Sequence, residues 1–248
     1  MLSIDLNCDL GEGCGNDAEL MKLVSSANIA CGGHAGDVET MKRTVDLAIE
    51  NGVAIGAHPG YPDRENFGRL PISLSAADTE RTVTEQIGVL NEIIQAAGGK
   101  LAHVKPHGAL YNQAAREPEI AASIAKAVSA FDDKLVLFGL SGSHSISEAQ
   151  KLGLRTASEV FADRTYQTNG SLTPRADPNS LIHDREIAVT QVLDMIKYGR
   201  VRSVEAIMIA ITAETVCIHG DGDEAVEFAE SIRYALTEHG IEIIAING

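Results

Sequence analysis

The sequence is organised around the stretch His103-Val104-Lys105-Pro106-His107-Gly108-Ala109-Leu110-Tyr111-Asn112. It follows a glycine turn, Gly98-Gly99, and the apolar pair Leu101-Ala102. Proline removes a backbone donor and biases the residue before it toward extended geometry, so Lys105-Pro106 cannot lie inside a helix. The stretch therefore predicts a strand that ends near Lys105 and leads into a loop with polar side chains.

The rest of the chain repeats one unit, in which an apolar run leads through a polar or glycine-rich loop into a helix with 3.6-residue periodicity. The predicted strands lie at residues 2–8, 28–31, 53–57, 101–105, 135–140, 156–161, 204–211, 215–218 and 241–246. The predicted helices lie at residues 17–24, 37–50, from 75 onward, 118–131, 145–152, 184–198 and 223–236. Such alternation indicates a parallel sheet covered by helices.

The number of units decides between two architectures. Roughly seven to eight units in a chain of this length predict a TIM-like β/α barrel of about seven strands, regular or distorted, in preference to a doubly wound open sheet. We find no linker of the kind that separates domains, so a single barrel domain over residues 1–248 is expected.

Helix ends and faces can also be read from the pattern. Asp37 is expected to cap the helix at 37–50, and Asn51-Gly52 to end it. One face of that helix carries Val38, Met41, Val45 and Ala48. Asp221 is a similar candidate cap for the helix that follows it. Residues 162–182 show no helical period, and a loop of that length inside a compact domain is usually functional.

Charge and composition exclude several classes of partner. The formal net charge is −15, which would repel nucleic acid and anionic lipid. A small anionic substrate is still compatible, because the local field of a cleft can oppose the global one. Cys8, Cys14, Cys31 and Cys217 contain no CxxC pair, so neither a structural zinc site nor a disulfide framework is indicated. The sequence contains no apparent membrane span or signal peptide, and a cytoplasmic location is expected.

Polar residues cluster where the predicted strands end. In a barrel or an open parallel sheet, the loops after these ends gather on one face, where binding and catalysis are built. The candidate catalytic residues at these positions are Asp9, His34, His58, Lys105 and His107. The candidate substrate-binding residues are Asn7, Arg64, Glu159, Asp163, Arg164 and His219.

Each candidate also has a structural interpretation. A single histidine after a strand often serves only as a hydrogen-bonding residue, and Asp9 with Glu12 could form a solvated turn or hold a metal or amine. Arg64 and Arg164 could be surface charges or could bind a carboxylate. Lys105 is the least easily explained by packing. At the end of a barrel strand and before a proline, it could be desolvated or could stabilise an oxyanion.

The sequence leaves a metal site undecided. No HExxH occurs, and the motifs of P-loops and GxSxG hydrolases are absent. His34, His58, His107, His219 and Asp9 would bind a divalent ion only if the fold brought them together.

Six segments resemble the signature blocks of the LamB/YcsF family, in the same order along the chain. They are Asp5-Leu6-Asn7-Cys8-Asp9-Leu10-Gly11-Glu12, the run from Ala27 to Asp37, Gly56-Ala57-His58-Pro59, Val104 to Asn112, Glu159 to Arg164, and Val216 to Asp221. The resemblance implies a distorted barrel related to the glycoside hydrolase and deacetylase folds. It also implies the A subunit of ATP-dependent 5-oxoprolinase, which opens the lactam of 5-oxoproline to L-glutamate together with subunits B and C.

The implied activity leads to a mechanistic hypothesis. The chain has no recognisable ATP loop, so the partner subunits are expected to supply most of the ATP site. Asp9 or one of His34, His58 and His107 would act as base, Lys105 would stabilise negative charge, and Arg164 would hold the substrate carboxylate. Two other functions stay open, a stand-alone metal-dependent amidohydrolase or deacetylase and a non-catalytic scaffold protein.

Overall fold

The structure, a computed structural model, describes residues 2–219 and 224–246. Its strands are β1 (Leu2–Leu10), β2 (Ser26–Ala30), β3 (Ala54–His58), β4 (Leu101–Val104), β5 (Val136–Leu140), β6 (Arg155–Phe161), β7 (Arg200–Arg202), β8 (Met208–Ala210), β9 (Thr215–Ile218) and β10 (Ile241–Ile243). Its helices are α1 (Asp17–Leu20), α2 (Val38–Asn51), α3 (Ala76–Ala96), α4 (Gly108–Arg116), α5 (Pro118–Phe131), α6 (His144–Lys151), α7 (Arg185–Tyr198) and α8 (Ala225–Glu238).

Seven parallel strands close into a barrel, which confirms the predicted architecture. The order is β1-β2-β3-β4-β5-β6-β9, and β9 pairs with both β6 and β1. The strand β10 pairs in parallel with the first residues of β1, at Leu2–Ile4. Within the described part of the chain, no helix combines the length and apolar character needed to cross a membrane.

One predicted strand does not join the barrel. Residues 204–211 contribute only β8, which pairs antiparallel with β7 in a separate two-stranded ribbon. Val201 is buried in this ribbon while its neighbours Arg200 and Arg202 are exposed. The ribbon therefore buries one face only, and β9 takes the barrel position beside β6.

The structure corrects two details of the predicted helices. Asp37 accepts a hydrogen bond from the Thr40 amide at 2.8 Å, as expected of a cap, but Val38 is exposed because it lies in the first turn. Tyr111 and Asn112, expected in a loop, lie in α4. Pro106 disfavours helical geometry at the residue before it and does not prevent a helix from starting at Gly108. The residues that follow Gly108 include good helix formers. The expected cap Asp221 lies outside the described residues.

Much of the barrel interior is polar, beside a small apolar cluster of Val136, Phe138 and Ala157. At the amino-terminal side, the Asp5 carboxylate accepts hydrogen bonds from Ser25, Ser26 and Thr215. One layer higher, the Asn7 amide donates to Glu159 at 3.0 Å. Alternate residues of β1 therefore line the interior with groups that bond to neighbouring strands, as the period of a strand requires.

His103 belongs to this interior although it precedes the end of its strand. Its Nε2 lies 2.8 Å from Asn28 Oδ1, and its ring stacks on Phe138 with centroids 4.2 Å apart. An amide oxygen accepts only, so Nε2 carries the proton. Burial lowers the pKa of His103 to about 3, so the ring is neutral at neutral pH.

The buried face of α2 gives a prediction with a matched control. Val45→Ala should lower the free energy of unfolding by roughly 1 to 3 kcal/mol, because the side chain is fully buried. Val38→Ala should change it by less than about 0.5 kcal/mol, because Val38 is 52% exposed. Urea denaturation of both variants measures the difference, and equal losses would contradict the assigned face.

The neutral His103 gives a prediction about pH. An unfolded histidine takes up its proton near pH 6.5, whereas folded His103 does so near pH 3, so stability is lost as the pH falls through this window. Each such proton contributes a slope of up to about 1.4 kcal/mol per pH unit.

In His103→Gln, the glutamine amide can still donate a hydrogen bond to Asn28, but the side chain no longer takes up a proton in this pH range. Its free energy of unfolding should therefore depend on pH less steeply than that of the wild type between about pH 6 and about pH 4. Urea denaturation across this range measures the slopes, with the exposed His239→Gln as control. A slope for His103→Gln as steep as the wild-type slope would contradict the neutral, buried ring.

Candidate active site

Four side chains from the ends of consecutive strands meet at the carboxyl-terminal mouth of the barrel. Glu12 follows β1, His34 follows β2, His58 ends β3 and His107 follows β4. Each presents one ligand atom, and these atoms all lie within 4.8 Å of one another. The parallel sheet explains why these four side chains lie close together, because the carboxyl ends of adjacent parallel strands lie side by side.

The orientation of two of these rings is fixed by backbone carbonyls. His58 Nδ1 lies 2.7 Å from the Lys105 carbonyl oxygen, and His107 Nε2 lies 2.9 Å from the Phe67 carbonyl oxygen. A carbonyl can only accept, so both of these nitrogens carry protons. The other nitrogens, His58 Nε2 and His107 Nδ1, face each other at 3.0 Å.

His34 completes this group from behind. Its ring stacks on His107, with centroids 3.6 Å apart and planes 2° from parallel, and its Nε2 lies 3.0 Å from Glu12 Oε1. Gly68 leaves room for the stack, because a Cβ there would lie 2.8 Å from His34 Cβ, and its φ of +62° also favours glycine. Burial lowers the pKa of His34 to about 4.

Lys105 lies beside this group, in the barrel interior. Its Nζ is 2.9 Å from both Asp9 Oδ1 and Glu159 Oε1, and 3.0 Å from Cys217 Sγ. Its side chain is 2% exposed. Burial opposes its charge, but Asp9, Cys217 and Glu159 raise the pKa of Lys105 well above its ordinary value, so it is an ammonium ion.

Asp9 connects Lys105 with the histidines. Its Oδ1 accepts from Lys105, and its Oδ2 lies 3.4 Å from His58 Nε2. Burial alone would raise the pKa of Asp9, but its interactions with His58 and Lys105 hold it well below its ordinary value. Asp9 is therefore a carboxylate and a weak base.

A second histidine lies across the mouth from the first group. His219 Nδ1 is 2.7 Å from Asp163 Oδ2 and 2.9 Å from Asp163 Oδ1, and its ring stacks on Phe161. Burial opposes ionisation of Asp163, but His219 keeps the pKa of that carboxyl low. With Nδ1 bonded to Asp163, the Nε2 of His219 is the nitrogen available for proton transfer.

The pocket above these groups is rimmed by arginines. Its lining includes Arg69, Arg164 and Arg175 together with Lys105 and His219. The pocket therefore presents cationic side chains around an anionic Asp9, in a protein that is strongly acidic as a whole.

The arginines predicted from the sequence lie in different environments. Arg164 donates to the carbonyl oxygens of Ser180 and Thr173, so it also fixes the long loop at residues 162–182. The structure does not bring Arg64 to the pocket, because its guanidinium donates to Gly32 and Gly36 carbonyls on the outer side of the β2 loop.

The other predicted site residues come together. Asp9, His58, Lys105, His107, Arg164 and His219 line the pocket. Asn7, His34, Glu159 and Asp163 contact those residues from below or behind. Only the position of Arg64 differs from the sequence-based expectation.

The site also contains Glu12 and Cys217, which the sequence did not provide as catalytic or substrate-binding candidates. From the sequence, Glu12 was considered only together with Asp9, as part of a solvated turn or as a ligand of a metal or an amine. Cys217 precedes His219 by two residues, so in a strand both side chains point to the same side, and this spacing could have identified Cys217. Tyr111, expected from the sequence in a loop that shapes or closes the pocket, does line the pocket, but from α4.

Two groups of residues could hold a divalent metal. One consists of Glu12, His34, His58 and His107, and the other of Asp9, Cys217 and His219. Imidazole, carboxylate and thiolate are the side chains that bind first-row divalent metals in proteins.

Comparison with known proteins places the chain in a family. A crystal structure of a lactam utilization protein from Thermus thermophilus is 44% identical, with a TM-score of 0.93 over 99% of this chain and 100% of that chain. A deacetylase determined with its substrate is 15% identical, with a TM-score of 0.53 over 98% of this chain and 87% of that chain.

A mutant of peptidoglycan deacetylase PdaC from Bacillus subtilis is 14% identical, with a TM-score of 0.51 over 99% of this chain and 88% of that chain. These two deacetylases share the barrel fold with this chain. The model of the LamB/YcsF family matches residues 4–248. With this match and the 44% identical relative, the chain belongs to the LamB/YcsF family.

Proposed function

We propose that this chain is the A subunit of an ATP-dependent 5-oxoprolinase, which opens the lactam of 5-oxoproline to L-glutamate together with subunits B and C. The solved relative named as a lactam utilization protein supports the substrate class. The observation that carries the proposal is the buried Lys105 ammonium, paired with two carboxylates at the floor of an arginine-rimmed pocket. We place the complex in the cytoplasm, where ATP is available.

The chemistry explains why ATP and partners are needed. An unstrained amide is a poor electrophile, and phosphorylation of its oxygen turns that oxygen into a leaving group. The sequence has no P-loop motif, so subunits B and C supply most of the ATP site. This chain binds the lactam or its phosphorylated form and directs water to the carbonyl carbon of the phosphorylated form. The ring C–N bond then breaks as its nitrogen takes up a proton, and the resulting acyl phosphate loses phosphate to a second water to give L-glutamate.

The pocket offers a group for each role in that step. Arg69, Arg164 and Arg175 bind the substrate carboxylate, because guanidinium pairs with carboxylate through two parallel hydrogen bonds. Lys105 stabilises the negative charge that develops on the carbonyl oxygen.

Proton transfer is best assigned to His219. Asp9 and His34 are poor bases at neutral pH because the pKa of each is held well below its ordinary value. His219 lines the pocket, and Asp163 holds its ring with Nε2 available. Asp163 is then a positioning residue that stabilises the protonated imidazole.

The test is to mix the chain with subunits B and C, 5-oxoproline and ATP, and to follow glutamate and ADP together. Lys105→Ala should lower turnover on the order of 10²-fold or more. Near-normal glutamate production by this variant would show that the assignment of Lys105 is wrong.

Lys105→Ala would also leave buried carboxylates without their ammonium partner, which could lower turnover through the fold alone. A second variant is therefore needed that keeps Lys105 in place. His219→Gln should lower turnover on the order of 10²-fold and remove one limb of the pH-rate profile. The exposed His239→Gln serves as control and should match the wild type in rate and profile. An unchanged profile in His219→Gln would exclude it as the proton carrier.

A second candidate is a metal-dependent amide hydrolase that works without ATP or partners. It is favoured by the group Glu12, His34, His58 and His107. Glutamate release by the isolated chain without ATP, and its loss with a chelator, would support this candidate over the first. Normal turnover by a complex carrying substitutions of Asp9, Lys105 and His107 would instead indicate a scaffold protein.

A further inference from the structure

We propose that Glu12, His34, His58 and His107 form a binding site for one divalent first-row transition metal ion, of which Zn²⁺ and Mn²⁺ are the probes to try first. The proposal does not depend on the proposed function. It rests on three observations about this group: opposed nitrogen atoms, ligand spacing, and carbonyl groups that hold two of the rings from behind.

The first observation is the pair of ring nitrogens that face each other. Both Nδ1 of His58 and Nε2 of His107 donate to carbonyl oxygens, so neutral rings present lone pairs at His58 Nε2 and His107 Nδ1. These two atoms are 3.0 Å apart. Two lone pairs cannot make a hydrogen bond, so this contact requires an extra proton or a cation that both nitrogens bind.

An extra proton is the less favourable of these two solutions. Both rings are almost completely buried, and burial disfavours the positive charge that an extra proton would bring. A cation bound through lone pairs needs neutral rings, so the same burial that disfavours the proton favours the metal.

The second observation is the spacing of the atoms. Two ligand atoms that lie about 2.0 to 2.1 Å from one ion, at an angle of about 90 to 110°, are about 2.8 to 3.4 Å apart. Glu12 Oε1 lies 3.0 Å from His34 Nε2 and 3.3 Å from His107 Nδ1, and it lies 3.8 Å from His58 Nε2. The first two of these separations, and the 3.0 Å between His58 Nε2 and His107 Nδ1, therefore match ligands that share one ion, whereas the separation of Glu12 from His58 is longer.

The third observation is the support behind the ligands. A metal-bound histidine usually donates its second ring nitrogen to a carbonyl or a carboxylate, which fixes the tautomer and the ring plane. His58 and His107 do so through Lys105 and Phe67.

The neighbouring group of Asp9, Cys217 and His219 is a weaker candidate. Lys105 Nζ lies 3.0 Å from Cys217 Sγ and 2.9 Å from Asp9 Oδ1, so a metal ion there would lie against an ammonium ion. The Glu12 group has no lysine or arginine contact of this kind among the described residues. Three imidazoles and one carboxylate also favour Zn²⁺ or Mn²⁺ over Mg²⁺ and Ca²⁺, which prefer oxygen ligands.

The test measures metal binding by the chain itself, without an activity assay. The purified chain is stripped with a chelator, and Zn²⁺ and Mn²⁺ are titrated by calorimetry, with the bound metal counted by elemental analysis. We expect one equivalent in the wild type. Glu12→Gln and His107→Gln should each bind more than about 100-fold more weakly, because loss even of a residue that only supports a ligand costs about 10- to 100-fold.

The controls separate this site from other causes. The exposed His239→Gln should bind like the wild type, and circular dichroism should show that all variants are folded. If one of the two site variants does not fold, the other still tests the site. Co²⁺-loaded wild type should lack sulfur-to-metal charge-transfer absorption, because no cysteine belongs to the proposed site.

Several outcomes would overturn the proposal. These are no saturable binding of either metal, equal binding by wild type, Glu12→Gln and His107→Gln, or binding that is lost in Cys217→Ser but kept in His107→Gln. The proposed function is judged separately. If no metal binds while the complex still forms glutamate and ADP, the metal site is wrong and the function stands.

Discussion

The Lys105 ammonium in the barrel interior is the constraint on which the rest of the site depends. A buried charge is stable only when it is paired and hydrogen-bonded, and Lys105 obtains both from Asp9 and Glu159, on β1 and β6. These strands approach the ammonium from different sides of the barrel, and β9 adds Cys217 between them. The position of one charge therefore fixes the relative register of several strand ends.

This constraint extends downward through the barrel. TIM barrels usually fill their interior with layers of branched apolar side chains. Here the layers contain Asp5, Asn7, Asn28 and His103, each of which contacts a polar group from another strand. The apolar core lies instead mainly between the strands and the outer helices, where α2, α3 and α5 bury their apolar faces. Removal of one polar side chain from this interior should strongly lower the stability of the fold, because its hydrogen-bond partners would stay buried without a partner.

Lys105 and Asp9 also separate two groups of histidines with different chemistry. On one side, His58 and His107 are oriented by backbone carbonyls so that their lone pairs converge with Glu12. On the other side, His219 is oriented by a carboxylate, the arrangement that suits proton transfer. The same residue type is thus held in two ways in one pocket, by a backbone carbonyl at His58 and His107 and by a carboxylate at His219.

The sequence by itself determined the alternation of strands and helices, the barrel, and nearly all the residues at its mouth, because periodicity and position after a strand are local properties. The sequence-based prediction was wrong where the position of a residue depends on contacts with distant parts of the chain. Arg64 follows a strand end like the others, yet it binds the outer side of a loop. The run at residues 204–211 is apolar like a barrel strand, yet it forms an outer ribbon. Only the tertiary structure joined Glu12 to three histidines and turned their lone pairs toward each other, because the tautomers depend on carbonyls up to 47 residues away in the chain.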